Sequence, residues 1–299
     1  MASASMKYKM YMALFKPLSW LPLGALYGLS NALSLFMRRV LKYRRKVIRE
    51  NLSQSYPGLD SKELLAIEKR FYRQLTDNIV ETVKLLSISD RRLRRRIEVQ
   101  GAHLVEEAAD RGKPIFLYLG HYANWEWVPA ITMFYSRPAI SAQIYKALRD
   151  EAFDRVMQRV RGHFPSVNIP QDRAMRTMLR LTREHGSFIV GIIDDHSPNH
   201  DRSQHITTFL NHPYTLINVG AEEIGRRLDA TFLYLDVEKP RRGHYRFTVK
   251  EIKPENPAPE YPVTYEYMRL LEHTINRDPG LWLWSHKRWR YKPHQQDIK

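Results

Sequence analysis

Apolar and polar positions along this chain switch repeatedly between two periods. Across residues 61–86, Leu64, Leu65, Ile67, Phe71, Leu75, Ile79, Val80 and Val83 recur mostly at helical spacing, which predicts a long amphipathic helix. Similar readings predict helices over 38–56, 102–111, 150–161, 173–185, 219–228 and 263–276. Between them lie short apolar runs at 97–100, 114–119, 140–145, 187–193, 230–237 and 245–252, which read as strands. Helices alternate with strands, so the predicted class is an α/β sandwich. A proline-rich connection covers 254–262, and no internal repeat is visible. One domain over residues 44–299, behind an N-terminal segment over 1–43, is the simplest division.

That N-terminal segment breaks the pattern. Residues 17–37 contain no charged side chain. A helix of that length spans about 30 Å, the thickness of a bilayer core. Pro22 falls inside it, and Tyr27, Ser30, Asn31 and Ser34 form a polar stripe at helical spacing. A single span, an interfacial or re-entrant helix, and a signal peptide all compete. Lys7, Lys9 and Lys16 argue against a full crossing, and no small-residue cleavage site precedes the following charges. The expectation is a membrane-attached segment, spanning or half-inserted, with the rest of the chain on the cytosolic side.

Composition narrows the partners. The 299 residues include no cysteine, which excludes disulfides, thiolate zinc sites and a cysteine nucleophile. The net charge of +16 favours anionic partners. Three basic blocks carry much of it: Arg38 to Arg49, Arg91 to Arg96, and Lys287, Arg288, Arg290 and Lys292. Trp282, Trp284 and Trp289 interleave with the last block, which suits a lipid headgroup interface, nucleic-acid stacking or a buried terminal segment.

The sharpest chemical signal is the run from Pro114 to Leu119 followed by Gly120-His121-Tyr122-Ala123-Asn124-Trp125-Glu126. It reads as a buried strand ending at a histidine, then a turn, then a helix start capped by Asn124. His121 and Glu126 would point about 140° apart on one straight helix, so they meet only if the chain turns between them. A carboxylate that reaches the imidazole fixes its tautomer and makes the other ring nitrogen a better base. A second polar cluster, residues 194–205, also follows a strand. Its Asp194, Asp195, Asp201, His196, His200 and His205 offer hard and borderline ligands, so a metal-dependent hydrolase is an alternative. No G-x-S-x-G elbow and no glycine-rich phosphate loop is present.

The Gly120–Glu126 string resembles the His-x4-Glu motif of the late acyltransferases of lipid A and lipopolysaccharide biosynthesis, the lauroyl- and myristoyl-transferases of the glycerolipid acyltransferase superfamily. Tyr122 and Ala123 stand where Phe and Gly are usual. Further stretches resemble the family in order: Arg44 to Pro57, Tyr145-Lys146-Ala147-Leu148, Ile193-Asp194-Asp195-His196-Ser197-Pro198, Lys239 to Tyr245, and Trp282 to Trp289. Lys146 replaces a usual Arg, and His196 a usual Gln.

The resemblance implies a mixed central β-sheet flanked by helices and an enzyme on the cytoplasmic face of the bacterial inner membrane. The donor would be an acyl thioester, usually on acyl carrier protein. The acceptor would be a hydroxyl of a lipid A precursor, with an aminolipid or lysophospholipid as alternatives. His121 would act as general base with Glu126 as its partner, and backbone N–H groups near the turn would hold the oxyanion. Asn124, Lys146, Asp195 and His196 would contact substrate. No metal, cofactor or nucleic acid is expected.

Overall fold

The structure, a computed structural model, describes residues 2–136, 140–145, 147–198, 205–254 and 260–291. The N-terminal half is mainly helical: α1 (Ala2–Trp20), α2 (Leu23–Arg39), α3 (Arg45–Ser55), α4 (Ser61–Lys84) and the short α5 (Asp90–Arg94). Helices α6 (Ala102–Asp110), α7 (Glu151–Arg161), α8 (Ala174–His185), α9 (Gly220–Arg227) and α10 (Pro262–Arg277) follow among the strands. The strands are β1 (Ile97–Gln100), β2 (Ile115–Leu119), β3 (Ser141–Tyr145), β4 (Ser166–Pro170), β5 (Ile189–Ile193), β6 (Ile206–Phe209), β7 (His212–Leu216), β8 (Thr231–Arg241) and β9 (His244–Glu251).

Seven strands make one sheet in the order β1-β9-β8-β2-β5-β3-β4. The β8–β9 pair is antiparallel and its other neighbours are parallel, so the sheet is mixed, as the resemblance implied. β6 and β7 form a separate antiparallel hairpin. β2 lies at the centre with all its residues buried, which explains its unbroken apolar run. β4 was not legible in the sequence. It is an edge strand of Ser-Val-Asn-Ile-Pro, half-buried, and an edge tolerates the terminal proline.

Helix α4 joins the helical half to the sheet. Asp60 and Glu63 close a capping box at its start. Its apolar face buries Ile67, Phe71, Val80 and Val83, as the periodicity predicts, and Tyr72 beside them, whereas Ile79 lies exposed. It also buries acids with partners. Asp77 takes a bidentate Arg242, Lys239 and the Ser30 hydroxyl. Glu81 accepts from Tyr27, Tyr245 and Asn124. Burial holds Glu81 above the ordinary carboxylate range against the opposing pull of Lys239 and these bonds.

Residues 17–37 do not form one helix. The chain breaks at Leu21–Pro22, where the extended backbone of Pro22 opens α2. Among the described residues, no helix is long and apolar enough to cross a membrane. Most of the polar stripe faces inward: Ser30 and Tyr27 bond α4 and Ser34 is buried, while Asn31 is exposed. Leu29, Leu35 and Phe36 of α2 lie exposed instead. Packing of α2 on α4 carries the helical layer across residue 43.

Candidate active site

The sheet topology brings the two strand-end clusters together. β2 and β5 are parallel neighbours with Leu119 opposite Ile193. Two residues beyond each strand stand His121 and Asp195, so the register alone sets them side by side. The imidazole Nδ1 lies 2.6 Å from Oδ1 of Asp195. A carboxylate can only accept, so Nδ1 carries a proton, and in the neutral tautomer this selects, Nε2 bears the lone pair. No described side chain bonds Nε2.

Asp195 is fully buried and has three donors. Its Oδ2 accepts the backbone N–H of His121 at 2.9 Å and the indole Nε1–H of Trp282 at 2.8 Å. Burial by itself would raise its pKa. Electrostatic attraction to the adjacent His121 ring, its hydrogen bond and the indole outweigh burial and hold Asp195 far below the usual carboxylate range. Asp194, next in the chain, behaves oppositely. Burial, with the Asp195 charge beside it, pushes it up to about 6 despite a bond from Asn218.

The strand end needs a glycine. A Cβ on Gly120 would sit 2.5 Å from Leu271 Cδ1 and 3.3 Å from Asp195 Oδ2. Ala123, two residues past His121, adopts φ +53°, a left-handed conformation that favours glycine. The resemblance expects glycine at this position, and the left-handed turn gives the physical reason.

Glu126 does not reach His121. Its carboxylate accepts Arg161 Nη2 at 2.7 Å and Nε at 2.9 Å, a bidentate pair with the end of α7. The expected His121–Glu126 contact is therefore replaced by His121–Asp195. Residues 125–134 form a 3₁₀ segment containing Pro129, and its start aims Glu126 toward α7. Asn124 does cap that segment, accepting from the Glu126 N–H at 3.1 Å, while its amide donates to Glu81 at 2.6 Å. It is buried, with its polar atoms held inside the fold. Trp125 meets the His121 ring edge-on, centroids 5.2 Å apart.

The backbone N–H groups expected to hold an oxyanion are already bonded. Those of His121, Tyr122 and Ala123 donate to Asp195, the Gly120 carbonyl and the Leu281 carbonyl.

His196 stacks flat on His121, centroids 3.9 Å apart, and His286 stacks on its other face at 3.9 Å. Burial drives His196 down to about 3 and His286 down to about 4. Both are therefore neutral at physiological pH. Donor atoms of His121, Asp195 and His196 lie within 4.8 Å of one another. Imidazole lone pairs lie in the ring plane, so rings at 5° to each other aim them in parallel rather than at a common ion. With Nδ1 already bonded to Asp195, this arrangement fits a dyad better than a metal centre. His205 packs instead against Tyr261, and Lys146, His200 and Asp201 lie outside the described residues.

The C-terminal aromatic–basic run is largely interior. Trp282 and Trp284 are buried, which decides among the three readings for those two indoles. Arg288 is also buried, donates to the Leu216 carbonyl, and is pushed by burial down to about 10. Only Lys287 and Arg290 of this described block remain exposed. No local signal in the sequence identified Trp282 as a partner of Asp195 or Arg161 as a partner of Glu126.

Residues 3–291 match the family described as bacterial lipid A biosynthesis acyltransferase. The chain belongs to that family. The match takes in the His121 turn, the Asp195 loop and the buried tryptophans together. No curated relative matches the chain.

Proposed function

We propose that this lipid A biosynthesis acyltransferase moves a fatty acyl chain from a thioester, usually on acyl carrier protein, to a hydroxyl of a lipid A precursor. The observation that carries this reading is the buried Asp195 carboxylate 2.6 Å from Nδ1 of a partly exposed His121. Nε2 accepts the hydroxyl proton as the oxygen attacks the thioester carbonyl. Asp195 balances the imidazolium that forms. The tetrahedral intermediate collapses with expulsion of the thiolate, which takes up the proton, and an ester remains. Glu126 and Arg161 act one step away. Their pair ties the Trp125 turn to α7 and so fixes the wall beside the imidazole.

The N-terminal helices support attachment to the cytoplasmic face of the inner membrane without a crossing. Met6, Met10 and Leu14 form an exposed stripe on α1 at four-residue spacing, and Trp20, Leu21, Leu29 and Phe36 extend the apolar surface onto the elbow and α2. Lys7, Lys9 and Lys16 accompany it. A helix pair of this kind lies in the headgroup plane. Domain 44–299 then carries the chemistry.

Mass spectrometry of lipids from cells with and without the gene tests the reading. The expected result is one additional ester-linked acyl chain on a lipid A precursor, lost when His121→Ala replaces the wild type. Transfer to an aminolipid or lysophospholipid would move the acceptor. Release of free fatty acid alone, dependent on added metal, would favour the hydrolase.

A further inference from the structure

The second basic block does more than face solvent. A cavity of about 350 Å³ lies between the α1–α2 elbow, the end of α4 and α5, and this volume is within the range of small-ligand sites. Pro22, Leu23 and Ile88 give it an apolar side. Lys84, Arg92, Arg95, Arg96 and His244 give it a nitrogen-rich side, and no carboxylate lines it.

These cations differ in what holds them. Lys84 is buried, with its ammonium on the carbonyls of Ser19 at 2.7 Å and Leu21 at 3.0 Å. An ammonium has three donors, so one N–H is left over. Arg96 donates to the Gly243 carbonyl at 3.2 Å. Arg92 and Arg95 have no acidic partner among the described residues and are exposed at the mouth. Burial first, and then the charges of Arg92 and Arg96, lower the pKa of Lys84. Like charges crowded without a counter-ion are costly, and an anion in the cavity relieves that cost.

We infer that this cavity is a phosphate subsite for an anionic membrane lipid, separate from the His121–Asp195 dyad. The position favours a lipid. Trp20 and Leu21 are exposed on the elbow immediately before Pro22, so an apolar lip borders the cationic wall. A phosphate at the headgroup level can enter while its acyl chains stay beside the lip. The carboxylates of an acidic carrier protein are spread over a convex surface and match a concave site poorly. Helix α4 links this cavity to the catalytic turn. Asn78 donates to the Ala123 carbonyl at 2.7 Å, and Lys84 lies six residues further along the same helix, about 9 Å. The inference rests on the membrane-attachment reading but not on the acyl-transfer chemistry.

The test uses the full chain and vesicles of phosphatidylcholine carrying phosphatidic acid, read by co-sedimentation. Arg92→Ala with Arg95→Ala is expected to weaken binding tenfold or more, the loss of at least one charge-assisted contact. Lys84→Met is the second variant, kept only if its thermal unfolding remains cooperative, and it should weaken binding in the same direction. Arg176→Ala with Arg183→Ala, two exposed arginines on α8, should leave binding near wild type. Vesicles in which oleic acid supplies the same surface charge should not distinguish the Arg92/Arg95 variant from wild type. Equal loss with the α8 pair, or equal loss on oleic acid vesicles, would reduce the cavity to general surface charge and overturn the proposal. Inorganic phosphate displacing the protein as effectively as the lipid would make it a free-phosphate site. Loss of carrier-protein binding with vesicle binding intact would make it a protein-docking site. Binding is read without turnover, so failure of the acyl-transfer reading leaves this test intact.

Discussion

Asp195 and Glu126 are both carboxylates near the His121 turn, yet the fold gives them different partners. Asp195 follows β5, is fully buried, and meets the imidazole because its strand is the parallel neighbour of β2. Glu126 follows His121 in the chain by only five residues and faces Arg161 instead. Nearness in sequence put Glu126 forward as the partner, whereas strand register selected Asp195. A carboxylate opposite a neighbouring imidazole can hold its tautomer. One already bidentate to a guanidinium holds two pieces of backbone together.

The comparison can be broken by substitution. His121→Ala should lower kcat by about 10²–10⁴-fold with the fold retained, the range for a lost general base. Near-normal turnover would remove His121 from the chemistry. Asp195→Asn keeps the shape but loses the charge, and should lower kcat by about 10²-fold or more at little-changed KM. If it leaves kcat intact, the dyad is structural.

Glu126→Gln is expected to cost less, on the order of ten- to a hundredfold, and Arg161→Gln should reproduce most of that loss. A double-mutant cycle should show coupling of about 0.5–3 kcal/mol, as for residues in direct contact. If Glu126→Gln inactivates as fully as His121→Ala while Arg161→Gln is benign, Glu126 acts on the reacting atoms and the contrast with Asp195 collapses.

The stacked histidines sharpen the same region through pH. In the fold, burial lowers the pKa of His196 to about 3 and of His286 to about 4. Unfolded, both titrate near about 6.5. Between those values the unfolded chain binds more protons, so stability falls as pH drops through that window. His196→Gln should move the midpoint of acid unfolding to lower pH, measured by circular dichroism. An unchanged midpoint would mean that the ring is not held neutral by burial. The smallest effect is Ala123→Gly, which should raise the thermal midpoint by an amount equivalent to at most about 1 kcal/mol, since it relieves a left-handed alanine. A lowered midpoint would show that its buried methyl matters more than its φ.

Removing the N-terminal helices does not simply free a soluble domain. A chain beginning near Lys42 would expose the α4 face that carries Thr76, Asp77 and Glu81, with their Ser30 and Tyr27 partners removed. Surface changes such as Leu29→Ser with Phe36→Ser address membrane partition without opening that face.

Much of the architecture is written in local patterns. The 3.6-residue period of α4, the unbroken apolar run of β2 and the Asn124 cap are properties of neighbouring residues, so the sequence alone determines them. It also marked His121 and Asp195 as strand-end residues. It could not pair them, because which strands are neighbours, and in what register, depends on contacts between residues 74 positions apart. The same holds for Trp282 on Asp195, Arg161 on Glu126 and the bonds of Tyr27 and Ser30 to α4. A long-range partner is chosen by what the whole core leaves adjacent, and no local period encodes that choice. Sequence therefore determined the elements and the chemistry available at their ends, while tertiary packing decided which carboxylate met the imidazole and which cations were left without one.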